Sequence, residues 1–298
     1  MSTKPSLGIG ILSWRAHDTL QSSLRSYVGH GLLDLFDKRL IYFSDISETD
    51  KAIAEAFGWA YAGGKNAGIA GGMEALARAL DTDYVLLLQN DNPVVVGLDF
   101  AEKHLQEAIA LLESGKADLV RMRHRWQVGE SFACAQKYLR YFPAIQPDPH
   151  FLPSEHGLTS QAFPDTLSKR VRRLLRPVKA ARLHGRSIFV EAFPEKLYPE
   201  HIQRSGDFLI VDSSILHFTD QCLLVRRTFF LDVLMDYTNK HPSSRRPNGF
   251  QAPEICINGP WWRKKHYKIA QGEGLFTHDR KDGSFRPEHH AFEVSSGH

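Results

Sequence analysis

An α/β fold with a mostly parallel central sheet is what this sequence predicts, from three observations. Apolar runs and amphipathic stretches alternate through about residue 124, as strand and helix do. The runs are nearly continuous, as in LGIGILSW (7–14) and DYVLLLQND (83–91), which marks strands covered on both faces. Apolar strand patterns return at 206–237, so the C-terminal part completes the same fold.

The first run, 7–14, reads as a buried strand. His17 to Tyr27 carries Leu20, Leu24 and Tyr27 at helical spacing, with Asp18 or Thr19 as its cap. RLIYFSD (39–45) is a second strand and DKAIAEAF (50–57) a short helix. GWAYAGG (58–64) is a short strand or turn, and AGGMEALARALD (70–81) a helix rich in Ala, Leu and Glu. DYVLLLQND is the strongest strand. LDFAEKHLQEAIALLESGK (98–116) is a long amphipathic helix stopped at Gly115, and ADLVRMRH (117–124) another strand. Pro143, Pro147, Pro149, Pro153 and Pro164 then mark a long irregular connection or lid. Residues 252–280 read as a short helix, a strand and a polar end.

Length and composition narrow the class. The 298 residues fit one large domain or two medium ones, and 42% hydrophobic with 24% charged residues fits a soluble globular protein. A net charge of +3 gives no bulk indication of a nucleic-acid partner. Cys134, Cys222 and Cys256 are odd in number and far apart, so neither a metal finger nor a disulfide framework is expected, and the cytoplasm is the default compartment. The opening MSTKPSLGIGILSW does not read as a signal peptide, and no run is long enough to span a bilayer.

Sites in parallel sheets lie at the carboxyl ends of strands. There the strongest strand delivers Asn90-Asp91-Asn92-Pro93, all good turn formers, with one acid between two amides. Ahead of it, GGKNAGIAGG (63–72) leads into a helix. Amides freed by glycines at a helix start hold anions such as phosphate; the plain alternative is a flexible turn with close helix packing. Lys65 is followed by Asn66, so this is not a P-loop, and GIGILS is not a dinucleotide fingerprint.

Together these segments carry a resemblance. Asn66-Ala67-Gly68-Ile69-Ala70-Gly71-Gly72, a helix, and Tyr84-Val85-Leu86-Leu87-Leu88-Gln89-Asn90-Asp91-Asn92 resemble the family 2 type of GT-A glycosyltransferase, which includes rhamnosyltransferases and galactosyltransferases. Ser13-Trp14-Arg15 stands where that family has a polar turn after its first strand. SDISETD (44–50), with Asp45, Ser47 and Asp50, stands at its base-contacting turn. LLVRRTFFLDVL (223–234), APEICIN (252–258) and HYKIAQGEGLFTHDR (266–280) follow its later order. The likeness covers 8–124 and 206–280; residues 125–205 match no part of it.

The resemblance implies a GT-A-type three-layer sandwich in one catalytic domain. A nucleotide-sugar-binding half would span 1–124, an insertion or lid with a basic helix 125–205, and an acceptor-binding half with a C-terminal tail 206–298. It implies an inverting glycosyltransferase that moves a sugar from a nucleotide-diphosphate sugar to a saccharide or lipid-linked acceptor, in surface polysaccharide synthesis. Ser13, Trp14, Asp45, Lys65, Asn66, Gly68, Asn90 and Asp91 would bind the donor. Glu254, the only acid of its segment, would be the general base; its plain alternative is a helix cap after Pro253. Mg2+ or Mn2+ would sit against Asp91, Asn92 and His278. Asn92 stands where the family has its last acid and carries no charge. Either the metal binds weakly, mainly through donor phosphates, Asp91 and His278, or Arg263, Lys264 or Arg280 takes over charge stabilisation. Asp232 and Asp236 fall in a helical pattern and read as solvated. Trp261 and Trp262 either stack on acceptor sugars or belong to the core.

The segment 168–186 is strongly basic, with Val171, Leu174, Leu175 and Val178 at helical spacing and Pro177 as a kink. It is either a solvated helix or one lying on an anionic membrane surface, peripheral on the inner face. Two rival functions fit the same sequence. A sugar nucleotidyltransferase wants a basic glycine-rich signature after the first strand, which SWRAHD (13–18) lacks. A degenerate sugar-nucleotide or glycan-binding protein is kept open by Asn92.

Overall fold

The computed structural model describes residues 5–130 and 132–282. The tail end of the 206–298 division, from residue 283, lies outside the described residues. Nine strands form one sheet: β1 (Leu7–Ser13), β2 (Lys38–Ser44), β3 (Ala60–Gly64), β4 (Tyr84–Gln89), β5 (Leu119–Arg123), β6 (Ile202–Ser205), β7 (Phe208–Asp212), β8 (Leu223–Arg226) and β9 (Lys268–Phe276). Their order is β3-β2-β1-β4-β8-β5-β9-β7-β6. The block β3-β2-β1-β4 is parallel throughout. Only β8 and β7 run against the rest, so the sheet is mostly parallel in strand direction, as the sequence predicts.

Alternating side chains divide the core into two layers. From β1 and β4, Ile9, Ile11, Leu86 and Leu88 face one side. There they meet helices α1 (His17–Gly29), α2 (Glu48–Ala56) and α4 (Leu98–Glu113), through Leu20, Ile53 and Leu105 among others. Leu12, Val85 and Leu87 face the other side, against Met73, Leu76 and Leu80 of α3 (Gly68–Leu80) and Phe230 and Leu234 of the helical run at 227–240. Each such buried leucine stabilises the fold by about 1.5–3 kcal/mol.

Several local expectations change. The cap of α1 is Ala16, not Asp18 or Thr19. Its free amides are satisfied from the far end of the chain: the Asp282 carboxylate accepts from the Asp18 and Thr19 N–H groups at 2.9 Å each, and from the Thr19 hydroxyl. Ser47 and Asp50 form the capping box of α2, so they serve the helix start rather than a ligand. A further short helix, Pro260–Lys265, follows the Glu254 segment.

Segment 125–205 packs on the sheet. Trp126, Tyr138, Phe151, Ile188 and Phe189 join the same apolar layer as α3. Glu191 is fully buried, and its oxygens accept the Ile145 and Gln146 N–H groups at 3.0 and 2.7 Å, which pins the proline-rich connection. The basic helix runs Leu167–Leu175 and breaks before Pro177, as expected. Among the described residues no helix is long and apolar enough to cross a membrane.

Candidate active site

The polar turn after β4 is built into the sheet edge. Asn90 donates from Nδ2 to Ser13 Oγ at 3.3 Å, and its carbonyl accepts from Ser23 Oγ at 2.7 Å. The Tyr27 hydroxyl donates to the Asn92 carbonyl at 2.6 Å. Asn90, Asp91 and Asn92 are all buried.

Asn92 has a structural task, which corrects its expected place among metal ligands. Its Oδ1 accepts the Gln89 N–H at 2.8 Å, and its Nδ2 points to the Thr277 carbonyl at 3.4 Å. Both ends of the amide are committed, and the residue has no exposure. Asn92→Asp would set a carboxylate oxygen against that carbonyl. It is expected to destabilise the protein by about 1–3 kcal/mol in urea denaturation. Unchanged stability would show that the amide is not committed.

Asp91 and His278 do come together. Asp91 Oδ2 lies 3.3 Å from His278 Nε2 and 3.8 Å from Arg280 Nε. The Asp279 N–H donates to the Asp91 carbonyl at 2.9 Å, which fixes this arrangement. Burial raises the Asp91 pKa, but the His278 hydrogen bond and the charges of His278 and Arg280 outweigh it and hold the carboxyl below its ordinary value. Asp91 Oδ1 and His278 Nδ1 are buried without a hydrogen-bond partner.

A cleft of about 260 Å³ opens beside this turn, walled by Trp14, Asn66, Gly68, Asn90, Phe250 and Arg280 among others; Asp91 and His278 lie behind its wall and are not among its lining residues. Gly68 is required twice over: its φ is +70°, and a Cβ would come within 2.3 Å of Phe250 Cβ. Asn66 Oδ1 accepts the Gly68 N–H at 2.8 Å, and the Ala70 N–H reaches the Gln251 carbonyl at 3.4 Å, so part of the α3 start is already bonded. Ser13 lies behind the cleft, holding Asn90. Asp45 and Lys65 are exposed and do not line it; Asp45 instead accepts the Asn66 N–H at 2.9 Å.

Glu254 is half-buried at the start of helix Pro253–Ile257. Its Oε1 accepts the Asp220 N–H at 3.3 Å, and Asp220 Oδ1 lies 3.5 Å from Nε2 of Gln89, on the cleft wall. On its other side Glu254 lines a second cavity, of about 240 Å³. It lines that second cavity, and Asp220 and Gln89 link it to the wall of the first cleft. Asp220 is buried, and burial together with the Glu254 and Asp91 charges pushes its pKa well above the ordinary carboxylate value.

Of the two readings of the tryptophans, stacking on an acceptor or core, the structure gives core for Trp262. Trp262 is core: 1% exposed, its indole N–H donates to the Leu216 carbonyl at 2.8 Å. Trp261 has one face stacked on Tyr237, with ring centroids 3.8 Å apart. Arg263 and Lys264 do not line the Asp91 cleft, whereas Arg280 does. Sequence reading missed Asp220, Gln89, Arg121 and Arg123. The arginines left a signal: two charges at i and i+2 in an apolar strand share one face.

No protein-family model matches the chain, and no curated protein matches it in sequence. Among solved structures, TarS 1–349 from S. aureus is similar with a TM-score of 0.43 and 10% identity, over 92% of this chain and 60% of that one. The same portion in complex with UDP-GlcNAc gives 0.44 and 10%, over 93% and 59%. Glucosyl-3-phosphoglycerate synthase from Mycobacterium tuberculosis, in complex with Mn2+, UDP and glucosyl-3-phosphoglycerate, gives 0.42 and 12%, over 98% and 76%. The chain thus spans about 60% of the length of the TarS portion. These are distant likenesses, and the functional reading rests on the site's own geometry.

Proposed function

We propose that this chain is an inverting glycosyltransferase that takes a sugar from a nucleoside-diphosphate sugar in the Asp91 cleft. The observation that carries the reading is Glu254, a carboxylate that lines the second cavity and is linked through Asp220 to Gln89 on the wall of that cleft. An acceptor hydroxyl is a poor nucleophile and needs a base within hydrogen-bond reach. Glu254 takes its proton as the oxygen attacks the anomeric carbon, opposite the departing diphosphate. The carbon inverts, and the diphosphate leaves with the bonding electron pair. Burial and the neighbouring Glu254 charge raise the Asp220 pKa, which disfavours a second negative charge beside the base. Arg280, on the cleft wall, opposes the charge building on the leaving group.

Asp91 Oδ1, buried without a partner, is the atom that would ligate a divalent cation such as Mg2+ or Mn2+, with donor phosphates completing its shell, while His278 Nε2 would hold the carboxylate through Oδ2. Among the described residues no three His, Cys, Asp or Glu side chains gather as a cation cage. When bound, the ion would supply charge neutralisation to the diphosphate. Incubation with a panel of nucleotide sugars tests the reading. Release of one nucleoside diphosphate, accelerated by an added glycan acceptor, is expected; no release from any of them counts against it.

The acceptor is a saccharide presented in solution or on a lipid, as in surface polysaccharide synthesis, and the basic helix supports peripheral contact with an anionic membrane. Leu167, Leu174, Leu175 and Val178 are 78%, 79%, 72% and 62% exposed, beside Arg176 and Lys179. Such a face suits an interface that takes leucine and attracts lysine and arginine. Sedimentation with vesicles is expected to show binding to phosphatidylglycerol-containing bilayers and not to phosphatidylcholine alone. Replacing Leu174 and Leu175 together by Ser is expected to weaken it about tenfold or more. Absence of binding to anionic vesicles would remove this contact.

A further inference from the structure

The second cavity has an unusual charge balance. Arg121, Arg123, Lys137 and Arg186 line it, and Glu254 is the only carboxylate among its lining residues. Among the described residues, none of these four cations forms an ion pair with a carboxylate. Arg123 is held by the Val128 carbonyl at 2.9 Å and the Gln221 side chain at 2.5 Å. Arg121 is far less satisfied. It is 3% exposed, its Nη2 donates to the His217 carbonyl, and its Nε has no partner. Nη1 of Arg186 and Nδ1 of His217 are likewise buried and unpartnered.

Burial draws the Arg121 pKa down to about 10, against the raising effect of Cys134 and with Arg186 lowering it further. The guanidinium still keeps its charge at neutral pH. His217 is held neutral by burial and by Arg121, Arg186 and Lys137 around it. A buried cation left unpaired is costly, and a fold keeps several together when a ligand brings the opposite charge. Arginine forks match the oxygens of phosphate. The donor diphosphate is not that ligand, because the cavity lies across Glu254 and Asp220 from the Asp91 cleft.

We propose that this cavity is an anion subsite that holds a phosphate group of the acceptor beside the hydroxyl that Glu254 activates. The assignment rests on Glu254 as base and names the acceptor class: a phosphorylated glycan, soluble or lipid-borne. Arg121, at the bottom, fixes the phosphate, and Arg186 closes on it from the chain that follows the basic helix.

Inorganic phosphate is the probe. It is titrated by calorimetry in the presence of each nucleoside diphosphate, which occupies the donor cleft. Saturable binding is expected, weakened at least tenfold in Arg186→Gln, with nucleotide affinity unchanged. Arg186 is only partly buried, so this variant keeps its fold; Arg121→Gln is the second variant, accepted once its circular dichroism matches the parent. No saturable phosphate binding, or equal binding by both variants, overturns the subsite. If nucleotide binds and phosphate does not, the subsite alone fails. If Arg186-dependent phosphate binding persists without any nucleotide binding, the donor reading fails and the subsite stands. Glucose 6-phosphate and phosphatidate vesicles, each competed against inorganic phosphate, separate the two sources. Displacement by either supports the acceptor role and identifies its form; displacement by neither contradicts it.

Discussion

Glu254→Gln is expected to lower sugar transfer by at least about 100-fold while donor binding stays unchanged. Glutamine keeps the shape of the side chain and an oxygen that can accept the Asp220 N–H, now made at 3.3 Å. What it loses is the ability to take a proton. Turnover under saturating donor, alongside donor affinity by calorimetry, separates the two effects. Transfer that persists removes Glu254 from the role of base. A parallel loss of donor affinity would make it a residue that shapes the cleft. Burial and the Glu254 charge raise the Asp220 pKa, which disfavours a second ionised carboxylate standing in for Glu254.

Asp91→Asn is expected to be the most damaging change at the β4 turn. It removes the negative charge that faces His278 at 3.3 Å and Arg280 at 3.8 Å. Breaking a buried charge pair from one side costs about 3 kcal/mol, and the variant should also lose transfer. The pH dependence has a definite sign. The folded carboxyl sits below its ordinary value of 3.8, so its stabilisation is fully present above that value. It is lost as pH falls through the lower folded value. The stability gap between parent and variant, measured in urea, is therefore wide at pH 7 and narrows below pH 4. Equal stability at pH 7 would show that this pairing contributes nothing.

The framework was legible because its signals are local. Continuous apolar runs gave β1 and β4, and three-residue spacing in LDFAEKHLQEAIALLESGK gave α4, with Gly115 just past its end. The turn at Asn90–Asn92 was legible too, since it follows the strongest strand. Other features depend on partners distant in sequence. The amides at the start of α1 find Asp282 across 264 positions, which no window of neighbouring residues reveals. Asn92 shows its residue type in the sequence but not its carbonyl partner at Thr277. Trp261 and Trp262 are adjacent and alike in sequence, yet one is core and the other stacks on Tyr237. Asp220 lies just before an apolar strand, and only the sheet order, with β8 beside β4, brings it to Gln89 and Glu254.

The most direct measurement is the thermal stability of the protein with each of the common nucleoside diphosphates. The site geometry leads us to expect that one raises the melting temperature progressively with concentration, a stabilisation of about 2.7 kcal/mol at 100 times its Kd. Gly68→Ala, which puts a methyl into Phe250 at the cleft wall, should blunt that shift. No stabilisation by any nucleoside diphosphate would contradict the donor cleft and with it the proposed reaction.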